Sequence, residues 1–254
     1  MTTTEPTTEV TRAEICVVAC ADIFAGAGEI LASPMAPVPL LGARLARLTS
    51  EPDLLITDGE ALIFADTPAI GRSGPIEGWL PFRKVFDVVA SGRRHVVMGA
   101  NQIDRHGNQN LSAFGPLQQP TRQMFGVRGA PGNTINHPTS YWVGRHSSRV
   151  FTDTVDIVSG VGFDKVDPEN PAFDDLNIYR VVTNLGVFDF GGPDHTMRAL
   201  SLHPGVQAAE VAENTSFVVA GLDSAASTRQ PTDEELTIIR EVLDPKGVRN
   251  REVR

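Results

Sequence analysis

Apolar side chains recur along this chain at two periods, and the switch between them marks out its elements. Ile15, Val18, Ala19 and Ile23 fall at the spacing that lines one face of a helix. Thr11 followed three residues later by Glu14 is a capping box, so the pattern predicts a first amphipathic helix over residues 11–24, ended by the AGAG run at 25–28. A short strand is predicted over 29–32 and a helix rich in Leu, Ala and Arg over 38–48. DLLIT at 53–57 and HVVM at 95–98 are apolar runs bounded by turn residues, the form of strands buried on both faces of a parallel sheet. From residue 149 the texture changes: 150–158, 179–184, 186–190 and 197–202 read as strands joined by tight turns. A second capping box, Thr232 to Glu235, opens a last helix that stops at Asp244-Pro245.

Alternating helices and strands with glycines at the strand ends predict an α/β fold. The expected architecture is an open, mostly parallel sheet flanked by helices, with a mixed or antiparallel extension in the C-terminal half. No repeat or linker interrupts residues 11–245, which read as one domain between a disordered leader (1–10) and a basic tail (246–254) expected to fray. The chain has 254 residues and 22 Lys and Arg against 31 Asp and Glu, a net charge of -9. Such an acidic chain without a basic stripe is not expected to bind nucleic acid. No apolar run approaches the ~18 residues of a membrane span. The first ten residues carry neither a basic nor an apolar signal region, so a cytoplasmic protein is expected. The two cysteines, Cys16 and Cys20, lie on the predicted first helix and read as small buried side chains rather than a disulfide or metal set. No metal site is expected.

Two polar segments are candidates for chemistry. GANQIDRHGNQN (99–110) follows the HVVM strand directly and carries Asn101, Gln102, Asn108 and Asn110. Ligands of open α/β sheets collect at the carboxyl ends of strands, and amides can stabilise an oxyanion without titrating near neutral pH. A turn using Asn and Gly for left-handed backbone is the alternative. The second segment is GVRGAPGN (126–133), where glycines would let backbone N–H groups approach a thioester or phosphate oxygen. Gly129, Ala130, Arg128 and Asn133 are its candidates, with a plain turn equally open. Asp58 and Glu60 stand at the end of the DLLIT strand, where a parallel sheet exposes catalytic groups. His95, His195 and His203 read as structural; His106, His137 and His146 lie nearer the two segments.

The ordered set PDLLI, GANQIDRHGNQN, GVRGAPGN, NLGVFDF (from Asn184) and HPGVQAAEVAENTSFVV (from His203) resembles the β subunit of class I coenzyme A transferases of the glutaconate and 3-oxoacid type. The resemblance runs from about Thr11 to Glu241. It implies that family's open α/β sheet and a homologous α subunit, in an α2β2 heterotetramer. In the transferases the strand resembling PDLLI runs into a nucleophilic glutamate that carries CoA as a thioester. Aligning Pro52 puts Gly59 there, and Glu60 is one residue late. In a strand one residue turns a side chain to the opposite face, although a turn could restore its aim.

The opening run EICVVACADIFAGAGEILASPMAPVPLLGARLARL and the DGEA turn are similar to a branch without that nucleophile, the two-subunit actinobacterial hydrolase that opens the last steroid ring in cholesterol catabolism. That resemblance implies hydrolysis of a cyclic β-keto acyl-CoA with no cofactor beyond the CoA of the substrate. Water adds to the ring ketone and the carbon-carbon bond breaks toward a thioester enolate. A general base and neutral donors suffice for this. Asn101, Gln102, Asn108, Asn110 and the N–H groups of Gly129 and Ala130 are then the expected donors. Arg128 and Asn133 are the expected contacts to carboxylate or CoA, and the base is expected on the α subunit. The alternatives are an ordinary CoA transferase using Glu60 and a non-catalytic sensor on the same fold.

Overall fold

A computed structural model of the chain describes residues 9–57, 61–124, 126–127 and 129–253. Its helices are α1 (Arg12–Asp22), α2 (Pro37–Leu48), α3 (Phe82–Ala90), α4 (Ala130–Asn136), α5 (Ala208–Glu213) and α6 (Asp233–Thr237). Its strands are β1 (Leu31–Pro34), β2 (Leu55–Thr57), β3 (Leu62–Phe64), β4 (Ile76–Trp79), β5 (Arg94–Gly99), β6 (Gln102–Ile103), β7 (Gln109–Asn110), β8 (Ala113–Phe114), β9 (Arg122–Gln123), β10 (Thr139–Val143), β11 (Ile178–Thr183), β12 (Gly186–Asp189), β13 (Arg198–Leu202) and β14 (Ala226–Ser227).

Ten strands form one sheet in the order β14-β13-β12-β11-β10-β5-β1-β2-β3-β4. The five central strands, β11-β10-β5-β1-β2, are parallel. Antiparallel pairing extends the sheet through β12 and β13 on one side and through β3 and β4 on the other. The extension expected in the C-terminal half is therefore present, with a second one from residues 62–79. Side chains of the central strands alternate between two apolar layers: Val97, Trp142 and Val182 face α1 and α2, whereas Val96, Tyr141 and Val181 join Phe151, Ile103 and Val211 on the other face.

Both capping boxes form, Thr11 with Glu14 and Thr232 with Glu235. Helix α1 is buried along most of its length because α2 lies against it at very short range. A Cβ placed on Gly42 would stand 2.6 Å from Cys20 Cβ and 2.8 Å from its carbonyl carbon. Gly42→Ala should therefore force the helices apart and cost about 1–3 kcal/mol. An unchanged unfolding temperature would show that the contact can relax freely. Cys16 and Cys20 are free and buried in this layer, with burial pushing the Cys16 thiol up to about 12.

Four expectations change. The strand expected at 29–32 begins at Leu31, because Gly28 turns at φ +62° and Ile30 N–H bonds its carbonyl. Residues 150–158 form no strand: Phe151 alone bridges Ile103, and the buried positions there, Phe151 and Val155, do not alternate. Residues 130–133 of the expected glycine loop are helical, the start of α4. The basic tail does not fray. Arg249 is buried against Glu14 and Asp244, and the Glu252 carboxylate accepts the Val38 N–H at the start of α2, 2.9 Å away. The leader lies outside the described residues up to position 8.

Candidate active site

Strand order reverses at β1: the chain passes from β1 to β2 on one side, and β5, β10 and β11 follow on the other. Ligands of open α/β sheets bind in the crevice at the carboxyl ends of the strands beside such a reversal. By strand order that position is between the ends of β1 and β5. The backbone there is strained: Ala36 sits at φ 98° and ψ 153°, a region that side chains other than glycine rarely adopt. No local sequence signal marks Ala36. On the α2 side the helix N-terminus is filled by Glu252, which Trp142 also bonds; burial raises this carboxyl.

The two candidate segments do meet at this edge. After β5, β6 and β7 form a small hairpin, and the Gln109 Nε2 donates to the carbonyl of Gly99 at 2.6 Å, the last residue of β5. Gly160 packs between Gln109 and the start of α4: a Cβ on it would lie 3.3 Å from Gln109 Oε1 and 3.5 Å from the Ala130 carbonyl. Gln109 Oε1 and Thr134 Oγ1 are both buried without a partner. Gln109, in the middle of the amide run, thus joins the hairpin to the end of β5 from a fully buried position.

The structure divides the amides into scaffold and free donors. The Asn108 Nδ2 donates to Asp104 and Asp164, and its Oδ1 accepts the Gly162 N–H. The Asn110 Nδ2 donates to Gln102 Oε1 and the Ala113 carbonyl, and its Oδ1 accepts the Ser112 N–H. Both are fully engaged inside the loop, so neither has a hydrogen left for an oxyanion. The Ala130 N–H is likewise taken, by the Val127 carbonyl. Three donors make no hydrogen bond among the described residues: the exposed Asn101 side chain, the Gln102 Nε2 and the Gly129 N–H. Gln102 is aimed by the Asn110 and Asp156 N–H bonds to its Oε1.

Asn133 is not at the surface expected of a CoA contact. It is 2% exposed, accepts the Arg94 Nη1 at 2.8 Å and donates toward Met98 Sδ. Burial lowers Arg94 to about 10. Asp58, Gly59, Glu60 and Arg128 lie outside the described residues.

Four of the histidines are buried. Burial pulls His95 and His146 down to about 3 and His137 and His203 to about 4, so all four are neutral packing groups at ordinary pH. His146, for instance, stacks on Phe151 and bonds Thr183 and Thr215. Acids bordering the edge are engaged as well: Asp104 accepts the N–H groups of His106 and Asn108, and Asp156 that of Gly115.

Known proteins resemble the chain over its whole length. No protein-family model matches it. It is 81% identical over 249 residues, 98% of each chain, to the cholesterol ring-cleaving hydrolase IpdB subunit of Rhodococcus jostii (strain RHA1). It is 67% identical over 247 residues to the subunit of the same description from Mycobacterium tuberculosis (strain H37Rv), covering 96% of this chain and 99% of that one. The crystal structure of Rhodococcus jostii RHA1 IpdAB superposes with a TM-score of 0.96, covering 97% of this chain and 100% of that chain. Glutaconate coenzyme A-transferase from Acidaminococcus fermentans, 24% identical over 94% of this chain and 96% of that chain, shares the fold with a TM-score of 0.80. The architecture is therefore the coenzyme A transferase fold anticipated from the ordered motifs. At 81% identity over nearly its full length, the chain belongs to the family of the cholesterol ring-cleaving hydrolase IpdB subunits.

Proposed function

We propose that this chain is the β subunit of a hydrolase that opens the last steroid ring of a cyclic β-keto acyl-CoA during cholesterol degradation. The observation that carries the reading is the 81% identity, across 98% of both chains, to a cholesterol ring-cleaving hydrolase subunit. A base on a homologous α subunit deprotonates water, and the hydroxide adds to the ring ketone. The tetrahedral oxyanion collapses, the carbon-carbon bond breaks, and its electron pair passes to the carbon next to the thioester, giving an enolate that is then protonated. The ring ketone becomes a carboxylate and the CoA thioester survives.

Donors aimed at the two successive oxyanions are the groups this chain supplies. The Asn101 side chain, the Gln102 Nε2 and the Gly129 N–H, which make no hydrogen bond among the described residues, are the donors we assign to the carboxyl edge. Arg128, adjacent to Gly129 in sequence, would meet a carboxylate or CoA phosphate. The proposed assembly is an α2β2 heterotetramer in the cytoplasm, and the reaction needs no further cofactor.

An ordinary transferase would form a glutamyl-CoA thioester, which borohydride reduces and marks. With Gly59 at the family's nucleophile position, incubation of the complex with acyl-CoA and borohydride should leave this chain unmodified by mass. A reduced glutamate at Glu60 would establish covalent transfer instead.

A further inference from the structure

Helix α3 presents its apolar residues outward. Its nine residues include Phe82, Val85, Phe86, Val88 and Val89, yet none is buried within the chain. Isolated helices shorter than ~12–15 residues are marginal in water and owe their stability to packing of an apolar face. The chain itself supplies little: Val89 lies against Gly132 of α4, where a Cβ would meet it at 3.4 Å. Phe82 and Phe86, one turn apart, pack edge to face with centroids 5.6 Å apart and stay 78% and 60% exposed. Trp79 and Ile76 on the neighbouring edge strand β4 are 70% and 57% exposed. Contiguous exposed aromatics of this kind mark interaction surfaces, and aromatic side chains dominate their energetics.

The position of the patch says what covers it. Trp79 pairs with Leu62, and the Leu80 N–H bonds the Ala61 carbonyl, so Trp79 and Phe82 stand on the side of the sheet where the parallel strand β2 ends. They are on the same edge as the donors described above. A chain that completes a site on that edge must approach over them. Charge narrows the choice further. Residues 82–93 carry Arg83, Lys84 and Arg93 against Asp87, three cations to one acid, on a chain of net charge -9. Only Lys84 and Asp87 pair with each other among the described residues. Two copies meeting through this surface would oppose like charges, whereas a partner with an acidic rim would be steered onto it.

We infer that the aromatic surface of Trp79, Phe82 and Phe86 is where the α subunit docks, through an apolar face with an acidic rim. The inference rests on the two-subunit reading proposed above. The test compares the α subunit's affinity for the wild-type chain, for Phe82→Ser/Phe86→Ser and for Val218→Ser, the last removing an 88% exposed apolar side chain elsewhere. Titration calorimetry should show at least about 30-fold weaker binding for the double variant, as for truncated interface hot spots. Val218→Ser should bind as wild type does, and all three should share one circular dichroism spectrum and unfolding temperature. Equal affinity of the double variant overturns the surface while leaving the two-subunit reading intact. Failure of the wild-type chain to bind α overturns both. A double variant that loses self-association but keeps α binding makes the patch a contact between copies of this chain and also overturns the inference.

Discussion

The purified chain alone should leave a cyclic β-keto acyl-CoA intact, and addition of the α subunit should restore ring opening. At the carboxyl edge this chain offers neutral donors, Asn101, Gln102 and the Gly129 N–H. Among the described residues the acids bordering it are engaged: Asp104 and Asp156 hold the loop, and Glu252 caps α2. A positioned base contributes roughly 10²–10⁴ in rate, and each oxyanion donor about 10²–10³. Separation of the subunits removes the base and opens the crevice to water together, so the single chain should be slower by at least about 10⁴. Product release from the thioester substrate, followed by mass spectrometry, reads this directly. Turnover by the single chain at a rate near that of the complex would place the whole site in this subunit.

Glu14→Gln should produce the largest loss of stability. The Glu14 carboxylate is fully buried and accepts from the Arg240 Nε and Nη2, the Arg249 Nη2 and the Thr11 N–H, all within 2.8–2.9 Å. It ties the start of α1 to the segment after α6 and to the C-terminal tail. Burial by itself would raise this carboxyl, but the Arg240 and Thr11 hydrogen bonds and the Arg249 charge outweigh it and hold it down to about 2. Because the folded value lies below the ordinary 4.5, the stabilisation is complete above that pH and is lost as pH falls from 4.5 toward 2. Removing one partner of a buried ion pair costs about 3–5 kcal/mol, which in a chain of this size lowers Tm by something on the order of 10 °C. The variant should also lose much of the acid sensitivity in that pH window. A Tm within about 2 °C of wild type would show that the two arginines are satisfied without it.

The elements that were legible in the sequence are those whose local chemistry decides their form. Two capping boxes and the buried runs DLLIT and HVVM each carry a signal within a few residues. Strand β10, at the centre of the sheet, escaped because TSYWV is short and follows a His-Pro pair, and only the flanking strands reveal its role. Helix α3 has strong helical periodicity but adjoins a proline, and the described residues leave most of its apolar face uncovered.

At the candidate site, the sequence singled out two segments that the fold brings together through Gly160, but not the division of labour within them. Asn108, Asn110 and Asn133 are as polar as Asn101 and Gln102. What separates them is hydrogen bonding to Asp164, Gly162, Ala113 and Arg94, residues far away or out of register in the chain. The tail behaved similarly: its arginines looked like a frayed end because their acidic partner, Glu14, lies more than two hundred residues earlier.

Hydrolytic cleavage of a carbon-carbon bond at a site shared by two subunits leaves the oxygen of water in the product. Its most direct test is turnover of the cyclic β-keto acyl-CoA by the reconstituted complex in heavy-oxygen water, with no acceptor acid present. The expected product is ring-opened, still carries its CoA thioester and has one heavy oxygen in the new carboxylate. An intact ring released as the free acid, or no turnover until a carboxylate is added and takes up the CoA, would overturn hydrolytic ring opening.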